Sequence, residues 1–138
     1  PETIDAALVA YGMPMGPVEL MDTVGLDIAV AAGKTLAGAD AVLPRALADR
    51  VAAGQLGKKS GQGFYAWVDG KAKKAAAGAP PAGLAERIAA PLLAAAHRCV
   101  ENGVVEDADL ADAGVIFGTG FPPFTGGPMN LSRAGTAG

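Results

Sequence analysis

Apolar side chains recur at helical spacing through most of this chain. Ile4, Ala7, Leu8 and Tyr11 fall at i, i+3, i+4 and i+7, which predicts an amphipathic helix that ends at Gly12. The same spacing predicts further helices over residues 20 to 28 with a break at Gly25, over residues 43 to 51, and over residues 84 to 103. The pattern therefore indicates a mainly helical fold.

One segment breaks the helical pattern. Residues 63 to 74, GFYAWVDGKAKK, place strand-favouring side chains from Phe64 to Val68 ahead of an Asp69-Gly70 pair. Such a pair is typical of a two-residue β-hairpin turn. The small and proline-containing residues 75 to 83 then predict a connection between two helical parts.

Composition and charge narrow the function classes. The chain has 138 residues, 51% of them hydrophobic, and a mean hydropathy of +0.30, as expected of a folded protein of single-domain length. A net charge of -3 disfavours a nucleic-acid partner, because such proteins neutralise phosphates with clustered Lys and Arg. Cys99 is the only cysteine, so an internal disulfide is impossible and a cytoplasmic protein is expected. Glycines and prolines interrupt the uncharged residues 113 to 132, and no membrane insertion is predicted for them.

The two halves of the chain show the same order of motifs. PETIDA at residues 1 to 6 aligns with VEDADL at residues 105 to 110, which pairs Glu2 with Glu106 and Asp5 with Asp109. Each motif is followed by a Gly-Pro step, at residues 16 to 17 and 127 to 128. The order predicts a tandem duplication of a helix, an apolar turn and a second helix that begins at Gly-Pro.

The duplication predicts a division of the chain and a role for its most irregular loop. Residues 1–78 form a first helical repeat that lacks its leading helix, and residues 79–138 form a second repeat that is truncated at the C-terminus. The chain is therefore expected to be a piece of a longer protein. The loop GTGFPPFTGGP at residues 118 to 128 is expected to form a corner between the two helices of its repeat. Phe121 and Phe124 are expected to anchor this corner to the core.

Three motifs in this order resemble the C-terminal domains of 3-hydroxyacyl-CoA dehydrogenases: GMPMGPVELMDTVGLD, LGKKSGQGFYAW and VVEDADLADAGVIFGTGFPPFTGGP. The match is most similar to the fatty acid oxidation complex alpha subunit type, which carries this domain in two tandem copies. The resemblance covers nearly the whole chain. It implies an all-α fold, two tandem helical repeats with a short β-hairpin between them, similar to the C-terminal domain of 6-phosphogluconate dehydrogenase.

The resemblance also implies an activity for a parent protein. That activity is the NAD-dependent oxidation of (S)-3-hydroxyacyl-CoA to 3-oxoacyl-CoA in fatty acid β-oxidation. In the family, the acyl-CoA lies in a cleft between the helical region and an upstream Rossmann domain, within a homo-oligomer or multienzyme complex, and an enoyl-CoA hydratase is fused to the bifunctional members. The family's catalytic His and Glu lie in the Rossmann domain and its substrate-facing Asn in the helix before the first repeat. This chain matches none of those motifs, so it is expected to hold no catalytic residue, to bind no NAD and to be inactive alone.

Some positions depart from the family pattern. Thr125 stands where a basic residue is expected after GFPPF, and PMNLSRAG replaces the commoner PLRYAD type of continuation. No acyl chain-length preference follows from these residues.

The loop GQLGKKSG, residues 54 to 61, is the main candidate binding site. Its spacing does not fit a Walker loop, which needs four residues between Gly and Gly-Lys-Ser/Thr after a strand. Lys58, Lys59 and Ser60 can instead contact the phosphates of CoA, because ammonium groups and a hydroxyl suit a phosphate. The alternative is a solvated loop that leads into the hairpin.

Other polar residues favour structural interpretations. The acids Glu106, Asp107, Asp109 and Asp112 lack the pattern of a calcium loop, and helix N-terminal charge explains them better. Glu19 and Asp22 are expected to be exposed first-turn acids. His97 has no partners for a catalytic triad, so a structural or surface role is expected.

A second function class also fits the sequence. The chain can be a non-catalytic helical interaction or dimerisation module that keeps the family's fold without its substrate role. In that case the apolar stripe of Ile4, Leu8 and Tyr11 is expected to be exposed and to favour self-association.

Overall fold

The computed structural model describes residues 1–38 and 42–135. Within these residues it contains seven α-helices, one two-stranded antiparallel sheet and two short 3-10 turns. The helices are α1 (Glu2–Tyr11), α2 (Pro17–Val24), α3 (Leu26–Ala37), α4 (Arg45–Ala52), α5 (Leu84–Glu101), α6 (Ala108–Thr119) and α7 (Pro128–Gly135). The predicted all-α fold with a short hairpin is confirmed. No helix in the described ranges is both long and apolar enough to cross a membrane.

Helix boundaries follow the glycines and prolines that the sequence suggested. Gly25 has a φ of 114°, a conformation open mainly to glycine, and it separates α2 from α3 at the predicted break. Pro17 is the first residue of α2, where its missing N–H costs no hydrogen bond. Helix α5 continues through Pro91 and ends at Glu101, two residues before the predicted end.

The predicted hairpin is also confirmed. Strands β1 (Ala66–Val68) and β2 (Lys71–Lys73) pair antiparallel, with Trp67 opposite Ala72. The turn residues Asp69 and Gly70 both have positive φ, 51° and 73°, as a type I′ hairpin turn requires.

The chain forms two compact units. Unit 1 consists of residues 1–6 and 15–79, and unit 2 consists of residues 7–14 and 80–138. Helix α1 thus contributes its first residues to one unit and its last residues to the other. The predicted boundary between residues 78 and 79 concerns the duplication of the sequence. The two compact units do not test that duplication, so the boundary stays a prediction.

Each unit has its own buried apolar residues. In unit 1 these are Val18, Leu26, Leu47 and Tyr65. In unit 2, Ala96, Ala111 and Met129 form a core cluster on α5, α6 and α7. These side chains fix the helices on which the polar residues below depend.

Two expectations about apolar side chains are wrong. Leu8 is only 5% exposed, so Ile4, Leu8 and Tyr11 do not form an exposed stripe. In the corner loop, Phe121 is buried and packs edge-on against Tyr11, with ring centroids 6.2 Å apart. Phe124 is 79% exposed and does not anchor the corner, because the turn Pro123–Thr125 leaves its ring beside Gly12 at the surface.

Candidate functional site

The loop with the candidate residues Lys58, Lys59 and Ser60 folds as a tight 3-10 turn in unit 1. The turn spans Lys58–Ser60 and is flanked by glycines with positive φ, Gly57 at 94° and Gly61 at 77°. The Ser60 hydroxyl lies 2.8 Å from the Leu56 amide nitrogen, which donates to it, and also 2.8 Å from the Gln62 carbonyl oxygen. The serine therefore holds the loop in shape.

Lys59 is paired within unit 1. Its Nζ lies 2.6 Å and 2.7 Å from the two carboxylate oxygens of Asp27, in the first turn of α3. This hydrogen bond, with the charge of Lys59, holds the pKa of Asp27 below its ordinary value. The Lys59 charge is thus largely compensated before any ligand arrives.

Lys58 is exposed and lies over an aromatic ring. Its Nζ is 5.6 Å from the centroid of the Trp67 ring, within the range of a cation–π contact. Within residues 1–38 and 42–135, Lys58 makes no ion pair with a carboxylate. Of the two predicted lysines, Lys58 therefore has the less compensated charge.

The segment that contains the loop and the hairpin concentrates the positive charge of the chain. Residues 57 to 74 include Lys58, Lys59, Lys71, Lys73 and Lys74, and Lys34 is the one lysine outside this segment. Asp69 is the single acid within it. Lys59 is paired with Asp27, and Lys74 with Glu19 and Asp5, so an anionic group would meet mainly the charges of Lys58, Lys71 and Lys73 here.

Two buried aspartates hold this segment in place through hydrogen bonds. Asp22 is fully buried and accepts hydrogen bonds from the backbone nitrogens of Phe64 and Tyr65 at 2.9 Å and from Trp67 Nε1 at 3.0 Å. Asp5 accepts from the Val18 amide at 2.8 Å and from the Tyr65 hydroxyl at 2.7 Å. Asp22 thus holds the residues that lead into β1, and Asp5 links Tyr65 to the start of α2.

The electrostatics of this network favour fixed protonation states. Burial raises the pKa of Tyr65, and the hydrogen bond and charge of Asp5 raise it further, so the phenol keeps its proton. Burial alone would lower the pKa of Lys74, but its hydrogen bonds to Glu19 and Asp5 and the charges of these acids raise it overall. Lys74 Nζ lies 2.6 Å from Glu19 and 3.3 Å from Asp5. These groups hold structure and are poor candidates for acid–base chemistry.

Several sequence expectations are corrected by these contacts. Asp22 is not an exposed first-turn acid, because three N–H donors converge on it inside unit 1. Glu19 is engaged by Lys74. Among the acids of residues 106 to 112, Asp107 caps α6 by accepting from the Leu110 amide at 2.8 Å, as the helix-charge interpretation suggests. Asp112 is instead buried and accepts from amides at the start of α7.

His97 links two helices of unit 2 through a side-chain contact. His97 Nε2 lies 3.0 Å from Ser132 Oγ, a contact between α5 and α7, which fits the expected structural role. In the part of the chain that the structure describes, no group of three His, Cys, Asp or Glu side chains is arranged to hold a metal ion.

Unit 2 contains two sizeable cavities. One, of about 490 Å³, is lined by residues that include Tyr11, Leu84, Glu86 and Phe124, and burial together with the charge of Glu86 raises the pKa of Tyr11. The other, of about 590 Å³, is bordered by Asp109, Asp112, Asn130 and Arg133. Neither cavity includes Lys58, Lys59 or Ser60, so the structure does not bring the predicted site residues to them.

The pattern search missed the buried aspartates, although the sequence holds a signal for one pair of them. Asp5 precedes Gly16-Pro17 and Asp112 precedes Gly127-Pro128, and each carboxylate accepts from the amides just after the proline. The hydrogen bonds thus pair Asp5 with Asp112 instead of Asp109, and the aligned register is wrong by three residues. The recognisable feature was an acid on the helix that precedes each Gly-Pro step, although the spacing differs between the two halves.

Comparison with known proteins shows what these motifs are similar to. Residues 1–67 match the family described as 3-hydroxyacyl-CoA dehydrogenase, C-terminal domain. The chain is 38% identical over 146 residues to the fatty acid oxidation complex subunit alpha of Shewanella frigidimarina, covering 93% of this chain and 20% of that protein. It is 36% identical over 142 residues to the same subunit of Shewanella loihica, covering 91% of this chain and 20% of that protein.

The chain therefore spans about a fifth of the length of the relatives that it matches. Because 93% of this chain is covered, the similarity to these relatives continues well beyond residue 67. Residues 1–67 are therefore similar to the 3-hydroxyacyl-CoA dehydrogenase C-terminal domain family, and the chain as a whole is similar to one part of the fatty acid oxidation complex alpha subunits.

Proposed function

We propose that this chain is the C-terminal helical region of an NAD-dependent 3-hydroxyacyl-CoA dehydrogenase that acts in fatty acid β-oxidation. Its role is to form one side of the acyl-CoA cleft and an association surface, in a cytoplasmic parent protein that also carries the Rossmann domain and, as in bifunctional members, an enoyl-CoA hydratase. The family match over residues 1–67 and the similarity of the whole chain to oxidation-complex alpha subunits support this proposal.

The described residues do not fit a nicotinamide dinucleotide. Such a cofactor binds at a Gly-rich turn between a parallel strand and a helix. The one sheet in the described ranges is an antiparallel pair, β1 and β2, and the glycine-flanked turn at Lys58–Ser60 leads into no helix of that kind. NAD is accordingly assigned to the parent protein, and this chain alone is expected to bind none and to be inactive.

The proposed contribution of this chain to substrate binding is phosphate recognition by the loop of Lys58, Lys59 and Ser60. The observation that carries it is the exposed Lys58 ammonium, which lacks a carboxylate partner in the described ranges and sits on a turn that Ser60 holds in shape. Lys59 contributes less, because a phosphate must compete with Asp27 for it. The loop is thus a preorganised, positively charged site for the phosphates of CoA.

Isothermal titration with CoA and with acetoacetyl-CoA tests this role. An exposed ion pair contributes about 0.2–1 kcal/mol, so Lys58→Ala should weaken binding up to about fivefold. Lys59→Ala should have a smaller effect, and Lys34→Ala, which removes an exposed lysine outside the segment, should have none. Equal affinities for Lys58→Ala and Lys34→Ala would remove this loop from the substrate site.

A specific observation also favours an association surface. Phe124, in unit 2, is an aromatic side chain that is 79% exposed. We propose that this side chain contacts another subunit. Sedimentation of the chain over a range of concentrations should show self-association that Phe124→Ser weakens, and a monomer at every concentration would contradict the proposal.

A further inference from the structure

The two units use the same device at a helix start. In unit 1, the oxygens of Asp5 accept from the Val18 and Glu19 amides at 2.8 Å and 3.1 Å. In unit 2, the oxygens of Asp112 accept from the Met129 and Asn130 amides at 2.7 Å and 3.1 Å. A Cβ on the glycine before each proline, Gly16 or Gly127, would overlap the aspartate concerned. The local geometry of one unit can therefore be mapped onto the other.

This register matches four positions of unit 1 to four of unit 2. Glu2 and Asp5 correspond to Asp109 and Asp112 on the first helix, and Glu19 and Asp22 correspond to Asn130 and Arg133 on the second.

In unit 1, these four positions hold one stretch of polypeptide, residues 64 to 75. Asp22 accepts from the Phe64 and Tyr65 amides, Asp5 from the Tyr65 hydroxyl, and Glu2 from the Ala75 amide at 3.4 Å. Glu19 pairs with Lys74 at 2.6 Å. The four side chains thus form a cradle for the two ends of the hairpin.

In unit 2, the four corresponding residues border the cavity of about 590 Å³. Asp112 is 6% exposed, so its carboxylate is buried at the wall of this cavity. Ile116 and the exposed Phe117 add an apolar side. The place that polypeptide fills in unit 1 is therefore an open groove among the described residues of unit 2.

The chemistry of the groove differs from that of the cradle in a defined way. The two positions on the first helix stay acidic, whereas Glu19 is replaced by a neutral amide, Asn130, and Asp22 by a cation, Arg133. Arg133 Nη2 lies 3.6 Å from Asp109. A lysine at the place of Lys74 would lose its Glu19 partner and face the added positive charge of Arg133. An acid there would lie beside Asp112, because Lys74 Nζ is 3.3 Å from the corresponding Asp5, so a neutral residue is favoured.

We propose that this groove, bordered by Asp109, Asp112, Asn130 and Arg133, binds a β-hairpin of a polypeptide whose tyrosine hydroxyl donates a hydrogen bond to Asp112. The tyrosine takes the place of Tyr65 in unit 1, and Phe117 covers the bound hairpin. The residue at the place of Lys74 is neutral. The proposal does not depend on the substrate of the parent enzyme.

A peptide with the sequence of residues 61 to 76, carrying Lys74→Gln, tests the groove. It is titrated into the ¹⁵N-labelled chain, and the amide signals of Met129 and Asn130 report on Asp112, while those of Val18 and Glu19 report on Asp5 as the matched control. We expect saturable shifts of the first pair only. The same peptide with Tyr65→Phe should bind at least about tenfold more weakly, because it lacks the hydrogen bond to a buried charge.

Phe117→Ser supplies a variant that leaves the fold intact, since this side chain is 89% exposed. It should weaken peptide binding without changing the melting temperature. Equal binding of the tyrosine and phenylalanine peptides, or no saturable shift, would overturn the proposal. It would equally be overturned if CoA alone produced the Met129 and Asn130 shifts, or if they followed protein concentration without peptide, which would assign the groove to a small ligand or to a second copy.

Discussion

Asparagine at position 22 provides a direct test of the buried carboxylate that holds the hairpin. Asp22 is fully buried, and its two oxygens accept three N–H groups, from Phe64, Tyr65 and Trp67. An asparagine of the same shape offers one acceptor oxygen and one NH₂ group. In one orientation, the asparagine oxygen keeps weaker hydrogen bonds from Tyr65 and Trp67, and its NH₂ group faces the Phe64 amide, which is also a donor. In the other orientation, the oxygen keeps only the Phe64 bond, and the other two are lost.

The cost can be estimated from these contacts. A hydrogen bond to a charged group contributes about 1.5–3 kcal/mol, and a buried donor without a partner costs about as much. Asp22→Asn should therefore lower the free energy of unfolding by about 2–5 kcal/mol, which is a large share of the stability of a small domain. For a chain of this length the melting temperature should fall by about 8–20 °C.

Calorimetry combined with fluorescence measures this loss. Trp67 is the only tryptophan of the chain and donates to Asp22, so its emission reports on the hairpin itself. Asp49→Asn is the matched control, since Asp49 is exposed on α4 and pairs with Arg45 only at 3.8 Å. That substitution should cost less than about 0.5 kcal/mol. Melting temperatures of the two variants within about 2 °C of each other would refute the assignment of Asp22 as a structural centre.

Two further predictions concern a close approach and an ion pair. Gly16→Ala places a methyl group on the Asp5 side chain and should lower the free energy of unfolding by about 1–3 kcal/mol or more. Gly114→Ala, within α6, adds a Cβ that has no described atom within 4 Å apart from its chain neighbours and the local helix backbone, and it should raise the free energy of unfolding by about 0.5–1 kcal/mol. Equal urea midpoints for the two variants would contradict this prediction. An NMR titration of Asp27 should show a midpoint below the ordinary value that Lys59→Ala raises toward it, and an unchanged midpoint would exclude the ion pair. Because the folded-state pKa is lowered, the stability from this pair is present above the unfolded-state pKa and is lost as the pH falls through the folded-state value.

Local sequence signals were sufficient for the elements and for the family. The helix periods ended where Gly12, Gly25 and the Gly-Pro steps interrupt them, because these residues act on the backbone over one or two positions. Asp69-Gly70 determined the hairpin turn for the same reason, since both residues readily adopt positive φ. Such effects need no knowledge of the rest of the fold.

Tertiary structure decided which polar residues are buried and which cations are compensated. Asp5, Asp22 and Asp112 look like exposed helix acids in sequence, but donors 13 to 60 residues away converge on them. The partner of Lys59, Asp27, lies 32 residues away, so the sequence could not distinguish it from Lys58. Phe121 and Phe124 share one loop, yet only the path of the chain buries the first and exposes the second.

The sequence by itself thus determined the elements, the hairpin turn and the family, because backbone preferences and apolar periodicity act between neighbours along the chain. Only the tertiary structure decided the register between Asp5 and Asp112, the role of each lysine and the groove in unit 2. Those features depend on contacts between residues that are distant in sequence, where burial turns an ordinary carboxylate into the centre of a hydrogen-bond network.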